Sequence, residues 1–379
     1  MSHFRWSRFR PRPTFKPMDT RLAPAEMERA FFAGDAGYDG LFVVAVRTTG
    51  IFCRPSCPAR KPLAKNVEYF PALRDAVFAG YRPCKRCRPL EALGTPPEWV
   101  KPLLRDVETD PDRRWTAKDL YERGLTPERV RRWFQQTYGM TFAAWCRARR
   151  LGQAFTRLRE GARIDAVVFD HGYESHSGFR EAFAQAFGLP PGKAVAGNCL
   201  HSALFQTPLG PMVAAATDQA VCFLEFADRR MFREQVRTLA RRFKLPLVPS
   251  ENPLLTRLRA ELQAYFEGRL RTFSVPLLEP GTAFQERIWA ELRRIPYGET
   301  TSYDVLAERA GSPGAQRAAG TANGMNRLAI VVPCHRVVGK DGQLSGYGGG
   351  LWRKRLLLEL ERTGALGPVP AAAAASPNP

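Results

Sequence analysis

The stretch Ile330-Val-Val-Pro-Cys-His-Arg-Val-Val-Gly339 says more about the fold and chemistry of this chain than any other. An apolar, β-branched run brings Cys334 to an end marked by proline, and His335 lies beside it. A thiol becomes a nucleophilic thiolate near neutral pH only where a base or a positive charge adjoins it. His335 is placed to be that base, directly or through a water molecule. A Cys-His pair is also compatible with an inert buried thiol, so the surrounding residues have to decide.

Four sequence segments around Cys334 resemble those of a known protein family. They are Gly281-Thr-Ala-Phe-Gln-Glu-Arg-Ile-Trp289, Ile295-Pro-Tyr-Gly-Glu-Thr-Thr-Ser-Tyr303, Gln316-Arg-Ala-Ala-Gly-Thr-Ala-Asn-Gly-Met-Asn326 and Ser345-Gly-Tyr-Gly-Gly-Gly350. Residues 281–362 resemble the O6-alkylguanine-DNA alkyltransferases. The resemblance implies a helical, winged-helix-like catalytic subdomain over residues 281–364. Gly348 is a departure, because many relatives carry serine there.

The residues before this segment match the less specific N-terminal part of the same enzymes. Apolar residues that recur with a period of two predict short strands at residues 203–207, 212–217 and 221–226. A helical pattern follows at residues 253–266. The resemblance implies a ribonuclease-H-like α/β subdomain over residues 198–280.

The resemblance also implies how Cys334 reacts. Cys334 would accept the alkyl group, His335 would be its base through water, and Glu361 would be the carboxylate that orients the histidine. A methyl group on guanine O6 lies inside the base stack, so the nucleotide has to rotate out of the duplex to meet a sulfur. The expected substrates are O6-methylguanine and O4-methylthymine. Because a thioether has no easy hydrolysis route, each molecule should act once.

Four other residues match positions that handle DNA in these enzymes. Asn326 would brace a hinge turn. Tyr303 would push the phosphate and sugar of the target nucleotide and could donate a proton to its ring. Arg317 would fill the gap left in the base stack, and Tyr347 is a further expected DNA contact.

Two short-spaced cysteine pairs in the N-terminal part predict a metal site. Cys53-x3-Cys57 and Cys84-x2-Cys87 are separated by 26 residues, and two such turns complete a tetrahedral zinc site. A purely structural zinc is the alternative. Nine basic and two acidic residues lie between positions 51 and 90, a rim suited to a DNA phosphate.

The phrases that hold these cysteines, Val46–Arg60 and Tyr81–Pro89, closely resemble the N-terminal domain of the Ada family of adaptive-response proteins. The resemblance covers residues 38–89 and implies a domain over residues 25–92. It further implies that zinc-bound Cys53 accepts a methyl group from a methylphosphotriester of the DNA backbone.

Residues 103–194 contain two helix-turn-helix phrases, Leu120–Gln135 and Val167–Phe183. A helical bundle is the plain alternative, but two such phrases in a basic chain resemble the AraC-type DNA-binding domain. Recognition helices of this kind enter adjacent major grooves. The expected DNA contacts are Arg129, Arg131, Arg132, Ser175, His176, Ser177 and Arg180.

The composition agrees with a DNA partner. Lys and Arg number 57 against 37 Asp and Glu, a net charge of +20, which favours a polyanion or an anionic membrane surface. No apolar run is long enough to predict a membrane span. The eight cysteines indicate ligands or thiols rather than disulfides. Cys146, Cys199 and Cys222 show no charged partner in the sequence and are interpreted as structural.

The sequence therefore predicts a multidomain α+β protein, with a basic arm (1–24), a linker (93–102) and a disordered tail (365–379) around the units above. The expected function is DNA repair by a single-turnover alkyltransferase that also activates transcription. We expect one zinc ion, no organic cofactor, double-stranded DNA and RNA polymerase as partners, a monomer, and a bacterial cytoplasmic location. Two alternatives stay open: an AraC-type regulator whose cysteines only bind zinc or pack, and a repair-only protein.

Overall fold

The computed structural model describes residues 22–368 except 92, 94, 95, 111, 139, 188, 189, 197, 198, 230, 246 and 251. The predicted arm lies outside the described residues up to position 21, and the predicted tail does so from position 369. Within the described ranges, no helix has the length and apolar character needed to cross a membrane.

The first unit is a small sheet that holds two cysteine loops. Its elements are α1 (Pro24–Ala33), β1 (Val43–Val46), β2 (Ile51–Cys53), β3 (Val67–Phe70), α2 (Leu73–Phe78) and β4 (Arg82–Pro83). The strand order is β3-β1-β2-β4, with β1 antiparallel to β2 and β3, and β4 parallel to β2. Because β2 and β4 are parallel neighbours, they deliver Cys53 and Cys84 to the same edge of the sheet.

The second unit is entirely helical among its described residues. Its elements are α3 (Lys101–Thr109), α4 (Ala117–Glu122), α5 (Pro127–Thr137), α6 (Phe142–Arg159), α7 (Ile164–Asp170), α8 (His176–Phe187) and α9 (Pro191–Ala196). The pairs α4–α5 and α7–α8 turn at Gly124 and Gly172, whose φ angles are 68° and 74°, values that glycine adopts without strain. The pair Thr126-Pro127 predicts the start of a helix. Thr126 is the N-cap residue of α5, although its side chain makes no capping hydrogen bond, and Pro127 occupies the first turn.

The apolar residues of both second helices face inward. Val130 and Phe134 of α5 are fully buried, as are Phe179 and Phe183 of α8. The long helix α6 joins the two helix-turn-helix pairs. Within the predicted linker 93–102, Val100 is buried and α3 begins at Lys101.

The third unit is a mixed sheet with two helices. Its elements are β5 (Leu200–Thr207), β6 (Gly210–Ala216), β7 (Val221–Phe226), α10 (Phe232–Phe243), β8 (Leu247–Pro249) and α11 (Pro253–Phe266). The order is β7-β6-β5-β8, an antiparallel meander with β8 parallel to β5. The three strands and the helix that the sequence predicts here are confirmed.

The last unit packs its helices against this sheet. Its elements are α12 (Ala283–Arg293), β9 (Thr301–Ser302), α13 (Tyr303–Arg309), α14 (Gln316–Gly324), β10 (Val337–Val338) and α15 (Leu351–Thr363), with a single 3-10 turn over Cys334–Arg336. Backbone hydrogen bonds join Leu224 of β7 to Arg327 and Ala329, at 2.7 and 2.8 Å. One apolar core therefore runs through both units.

The β-branched run before Cys334 is not a strand. Residues 328–332 form buried turns, and Ile330 has a φ of 73°. A β-branched residue rarely adopts this left-handed conformation. The turn therefore stores local strain beside the cysteine, which the surrounding hydrogen bonds have to hold.

Candidate functional site

Cys334 lies at the first position of the 3-10 turn and is buried. The side-chain amide of Asn326 donates hydrogen bonds to Cys334 Sγ at 3.0 Å and to the Val332 carbonyl at 2.9 Å. Burial raises the pKa of the Cys334 thiol, and the bond from Asn326 opposes that rise. The side-chain oxygen Oδ1 of Asn326 accepts from the backbone N of Leu328 at 2.8 Å. Asn326 therefore fixes the turn and contacts the sulfur at the same time.

His335 points away from solvent into a buried charge network. Its Nε2 lies 2.8 Å from Oε1 of Glu361, and its Nδ1 is buried without a hydrogen-bond partner among the described residues. Burial lowers the pKa of His335, although Glu361 opposes this. A neutral histidine facing an ionised carboxylate carries its proton on Nε2. The lone pair of Nδ1 is therefore free to accept a proton.

Glu361 is held ionised by its neighbours. Arg336 donates to it from Nε at 2.8 Å and from Nη2 at 2.9 Å, and Tyr265 donates its hydroxyl at 2.8 Å. Burial alone would raise the pKa of Glu361, but the charges and hydrogen bonds of His335 and Arg336 outweigh burial and lower that pKa. The histidine thus faces a permanent negative charge.

A cavity of about 280 Å³ opens onto Cys334, and Tyr303 and Tyr347 form part of its wall. Tyr303 donates its hydroxyl to the carbonyl of Ser345 at 3.3 Å, and burial raises the pKa of that hydroxyl. Pockets for drug-sized ligands measure roughly 300–1,000 Å³, so this cavity suits one smaller group. Arg317 is exposed on α14 and outside the cavity wall, a position compatible with insertion into a duplex.

The four N-terminal cysteines form one cluster. The sulfur atoms of Cys53, Cys57, Cys84 and Cys87 all lie within 4.8 Å of one another. A hydrogen bond to Cys87 and burial raise the pKa of Cys53, whereas the same hydrogen bond lowers the pKa of Cys87 to about 6. Four thiols this close oppose one another's ionisation, and a divalent cation relieves that repulsion. The donor set therefore fits one tetrahedral zinc ion.

The loops of the cluster are held by a second set of hydrogen bonds. Asp39 accepts from the backbone N of Ser56 at 3.0 Å and from its hydroxyl at 2.5 Å, which fixes the turn between Cys53 and Cys57. The backbone N of Arg54 donates to Cys87 Sγ at 3.4 Å. Most of the basic rim is exposed, namely Arg60, Lys65, Arg74, Arg82, Lys85, Arg86 and Arg88.

The expected DNA contacts of α5 are exposed. Arg129, Arg131 and Arg132 all lie on the solvent side of the helix. Arg129 also lies over the ring of Trp99, 4.2 Å from its centroid. This stacking holds one of the three guanidinium groups in place, and Arg131 and Arg132 are exposed to solvent.

The start of α8 is more constrained than the sequence suggests. Ser175, Ser177 and Arg180 are exposed, and Ser175 Oγ accepts from the backbone N of Gly178 at 3.1 Å. His176 Nε2 lies 3.0 Å from a carboxylate oxygen of Asp165. A DNA contact through this atom would have to replace the contact with Asp165.

The three remaining cysteines are buried. Burial raises the pKa of Cys146 and Cys222 to about 12 and that of Cys199 to about 11. Cys199 Sγ lies 3.7 Å from His201 Nε2, a neighbour that the sequence pattern did not reveal. The raised pKa values keep all three thiols protonated at neutral pH.

Comparison with known proteins decides the family. Four family models match: "Metal binding domain of Ada" at residues 26–90, "Helix-turn-helix domain" at 122–196, and the ribonuclease-like and DNA-binding domains of 6-O-methylguanine DNA methyltransferase at 200–278 and 283–363. The chain is 36% identical over 340 residues to the regulatory protein Ada of Salmonella typhimurium, covering 87% of this chain and 94% of that protein.

This chain is also 34% identical over 346 residues to the bifunctional transcriptional activator/DNA repair enzyme Ada of Escherichia coli, covering 90% of this chain and 97% of that protein. The chain belongs to the Ada family. Among solved structures, Mycobacterium tuberculosis OGT in complex with DNA is 42% identical, covers 44% of this chain and 94% of its own, and has a TM-score of 0.38. The family models and the two Ada relatives confirm the family and the α+β fold class expected from the sequence. The match to the Ada metal-binding domain and the four-cysteine cluster confirm the single zinc site.

Three residues of this Ada-family site were missed from the sequence. Arg336 and Tyr265 hold Glu361. Lys354 is fully buried on α15 and donates to the carbonyls of Val337 at 2.5 Å and Ser345 at 2.6 Å. Arg336 interrupts the mostly apolar stretch 330–338, which was a usable signal, whereas Lys354 stands between Arg353 and Arg355 and gave none. Tyr265 gave none, because it meets Glu361 only through the fold.

Proposed function

We propose that this protein repairs alkylated DNA by taking methyl groups onto Cys334 from O6-methylguanine and O4-methylthymine, and onto Cys53 from methylphosphotriesters. Methylation of Cys53 then switches on sequence-specific activation of transcription. The observation that carries the proposal is the Cys334 site, where a buried sulfur bonded to Asn326 adjoins a base-sized cavity and a His335–Glu361 pair.

The reaction at Cys334 needs one base and one leaving group. The thiol proton passes to Nδ1 of His335 through a water molecule, and Glu361 stabilises the resulting imidazolium. The sulfur lone pair forms a bond to the methyl carbon while the carbon–oxygen bond breaks, and its electrons remain on O6. The guanine ring then takes up a proton, for which the Tyr303 hydroxyl is a candidate donor. The products are guanine and S-methylcysteine, which ends activity at this site.

Three residues would handle the DNA around this reaction. Arg317 on α14 would occupy the space left by the extruded base, as the flipping of a nucleotide requires. Tyr303 and Tyr347 would contact the base in the cavity that they line. Asn326 would keep the turn and the sulfur in register.

Zinc, when bound to the four cysteines, keeps their sulfurs ionised and nucleophilic near neutral pH. In the proposed second reaction Cys53 Sγ attacks the methyl carbon of a phosphotriester, and the phosphate leaves as a diester anion. The exposed basic rim would bind the adjacent phosphates. Exposure alone would favour Cys87, which is the most exposed member of the cluster. The choice of Cys53 therefore rests on its place in the sequence motif.

The helix-turn-helix pairs would supply sequence selection. Arg129, Arg131 and Arg132 would contact one major groove, and Ser175, His176, Ser177 and Arg180 the next. We further propose RNA polymerase as the partner of the methylated form, a monomeric protein, and a cytoplasmic, nucleoid-associated location. The transcriptional role draws support from the E. coli relative, which is a bifunctional transcriptional activator and DNA repair enzyme.

Label transfer from two defined DNA lesions tests these assignments. Duplexes carry a labelled methyl group on either guanine O6 or a backbone phosphate, and the acceptors are the wild type, Cys334→Ala, Cys53→Ala and Cys222→Ala. Each of the first two variants should lose one transfer and keep the other, and the buried Cys222 control should keep both. Absence of both transfers from the wild type would favour the regulator-only alternative. Transfer without a sequence-selective footprint would favour the repair-only alternative.

A further inference from the structure

The wall of the Cys334 cavity includes residues from outside the catalytic unit. Glu225 from β7, with Arg229 and Met231 from the segment after it, lines the same cavity as Cys334. None of them belongs to the sequence motifs of residues 281–362. The third unit therefore takes part in forming the base pocket.

Glu225 and Arg229 form a buried ion pair. Glu225 is 1% exposed, and its Oε1 accepts from the backbone N of Phe226 at 2.9 Å. Its Oε2 accepts from Nη1 of Arg229, whose side chain is 8% exposed. A buried carboxylate is tolerated only when it is paired and hydrogen-bonded. The pair therefore fixes the guanidinium plane at the cavity.

Arg229 also reaches the hinge next to the nucleophile. Its Nη2 donates to the carbonyl of Gly324 at 2.5 Å, and its Nη1 donates to the carbonyl of Asn326 at 3.3 Å. Gly324 ends helix α14, where a positive charge is favourable. Asn326 in turn donates to Cys334 Sγ. Asn326 thus links the Arg229 guanidinium to the reacting sulfur of Cys334 through two successive hydrogen bonds.

Gly348 lies directly against the guanidinium group of Arg229. A Cβ atom at position 348 would lie 2.3 Å from Cζ of Arg229 and 2.5 Å from its Nε and Nη2. Real Cβ atoms do not approach other heavy atoms this closely, so Arg229 occupies the space that a side chain at position 348 would need. The departure of this chain from serine at that position therefore has a structural reason.

We propose that Arg229, oriented by Glu225, donates hydrogen bonds to the O6/N7 edge of the extruded guanine and thereby determines substrate specificity. The inference rests on the function proposed above. Cys334 Sγ has to meet the methyl carbon on O6, so the wall around the sulfur faces the base edge that carries O6 and N7. Arginine is the side chain that pairs most often with these two guanine acceptors. The nitrogens Nε and Nη2 lie on the side nearest Gly348.

The test measures single-turnover methyl transfer to full-length protein from duplexes that contain O6-methylguanine or its 7-deaza analogue, which lacks the N7 acceptor. The wild type should transfer from the 7-deaza lesion about ten- to hundred-fold more slowly, the range expected for loss of a specific arginine–guanine contact. In a Glu225→Gln/Arg229→Met variant, which removes both charges together, the two lesions should react at one common, reduced rate. Arg237→Gln, an exposed arginine of α10, is the matched control and should behave like the wild type.

Thermal unfolding of the same molecules, followed in the unit that holds Glu225 and Arg229, reports whether the variant is folded independently of its chemistry. Equal rates of the wild type on the two lesions would overturn the proposal without any variant. An unchanged discrimination in Glu225→Gln/Arg229→Met would also overturn it. A wild type that transfers nothing to Cys334 would instead refute the proposed function itself.

Exchange of Gly348 gives a second, independent test. Gly348→Ser should slow the wild-type reaction by about tenfold or more, because the new side chain displaces Arg229. The same substitution in the Glu225→Gln/Arg229→Met background should cost much less, since the space is free there. Such non-additivity marks residues in direct contact. Equal effects of Gly348→Ser in both backgrounds would contradict the placement of Arg229.

Discussion

Replacing Glu361 with glutamine tests the buried network behind His335 most sharply. The carboxylate accepts five hydrogen bonds, from His335 Nε2, Tyr265 Oη, two nitrogens of Arg336 and the backbone N of Gly298. Glutamine keeps the shape but has one acceptor oxygen and no charge. Whichever way its amide turns, two or more donors face an NH₂ group, and the buried Arg336 loses its counterion.

The size of the effect follows from these contacts. Breaking a buried ion pair by removing one partner costs about 3–5 kcal/mol. A unit of the size of residues 198–364 shifts its melting temperature by about 2–4 °C per kcal/mol, so Glu361→Gln should lower it by about 6–20 °C. Loss of an oriented general base costs roughly 100-fold or more, and transfer to Cys334 should slow by about that factor below the melting range.

The assay compares wild type, Glu361→Gln and Glu359→Gln, the last being a half-buried glutamate of the same helix. Thermal unfolding gives the stability, and single-turnover transfer from O6-methylguanine DNA gives the rate. Binding to methylated DNA should change little at temperatures where the variant is folded. If Glu361→Gln melted and reacted like Glu359→Gln, the carboxylate would have no part in holding His335 and Arg336.

Three further predictions follow from other parts of the chain. Chelation of zinc should abolish phosphotriester transfer and raise hydrogen exchange in residues 25–92 while O6-methylguanine repair continues, because the small first unit depends on its metal; unchanged exchange would exclude a structural site. Burial lowers the pKa of Lys354 from 10.5 to about 8, so the Lys354 amine binds a proton more tightly in the unfolded chain than in the folded one. The free energy of unfolding should therefore rise by about 3 kcal/mol between pH 8 and 10.5. Urea titrations should show this rise in the wild type and not in Lys354→Met; parallel pH curves would contradict it. Arg131→Gln and Arg132→Gln should each weaken promoter binding and reduce its salt dependence by about one unit per lost phosphate contact, without slowing repair at Cys334; an unchanged salt slope in fluorescence-anisotropy titrations would remove them from the interface.

The sequence predicts the local parts of this structure well. The strands β5, β6 and β7 and the helix α11 follow from periodicity, whereas α10 and β8 were not predicted. Thr126 and Pro127 mark the start of α5. The zinc cluster follows from cysteine spacing, because each pair closes one turn. The short run before Cys334 gave no such guide, since its β-branched residues form strained turns that are held by Asn326.

Contacts between distant segments could not be predicted in the same way. Tyr265 reaches Glu361 across 96 positions, and Arg229 reaches Asn326 across 97. Neither contact leaves a periodic or compositional trace in the chain. His176 also met an unforeseen partner, Asp165, because the turn between α7 and α8 sets that distance. The reacting residues of the site could therefore be predicted from sequence motifs, whereas the hydrogen-bond network that supports them could be identified only in the folded structure.

The central claim is that Cys334 is a single-use methyl acceptor. The direct measurement is mass spectrometry of the intact protein and its peptides after incubation with excess duplex that contains one O6-methylguanine. The wild type should gain one methyl group, located on Cys334, and repair should stop at one lesion per protein molecule; Cys334→Ala should gain none and repair none. Repair beyond one equivalent, or repaired DNA beside an unmodified Cys334, would contradict the account.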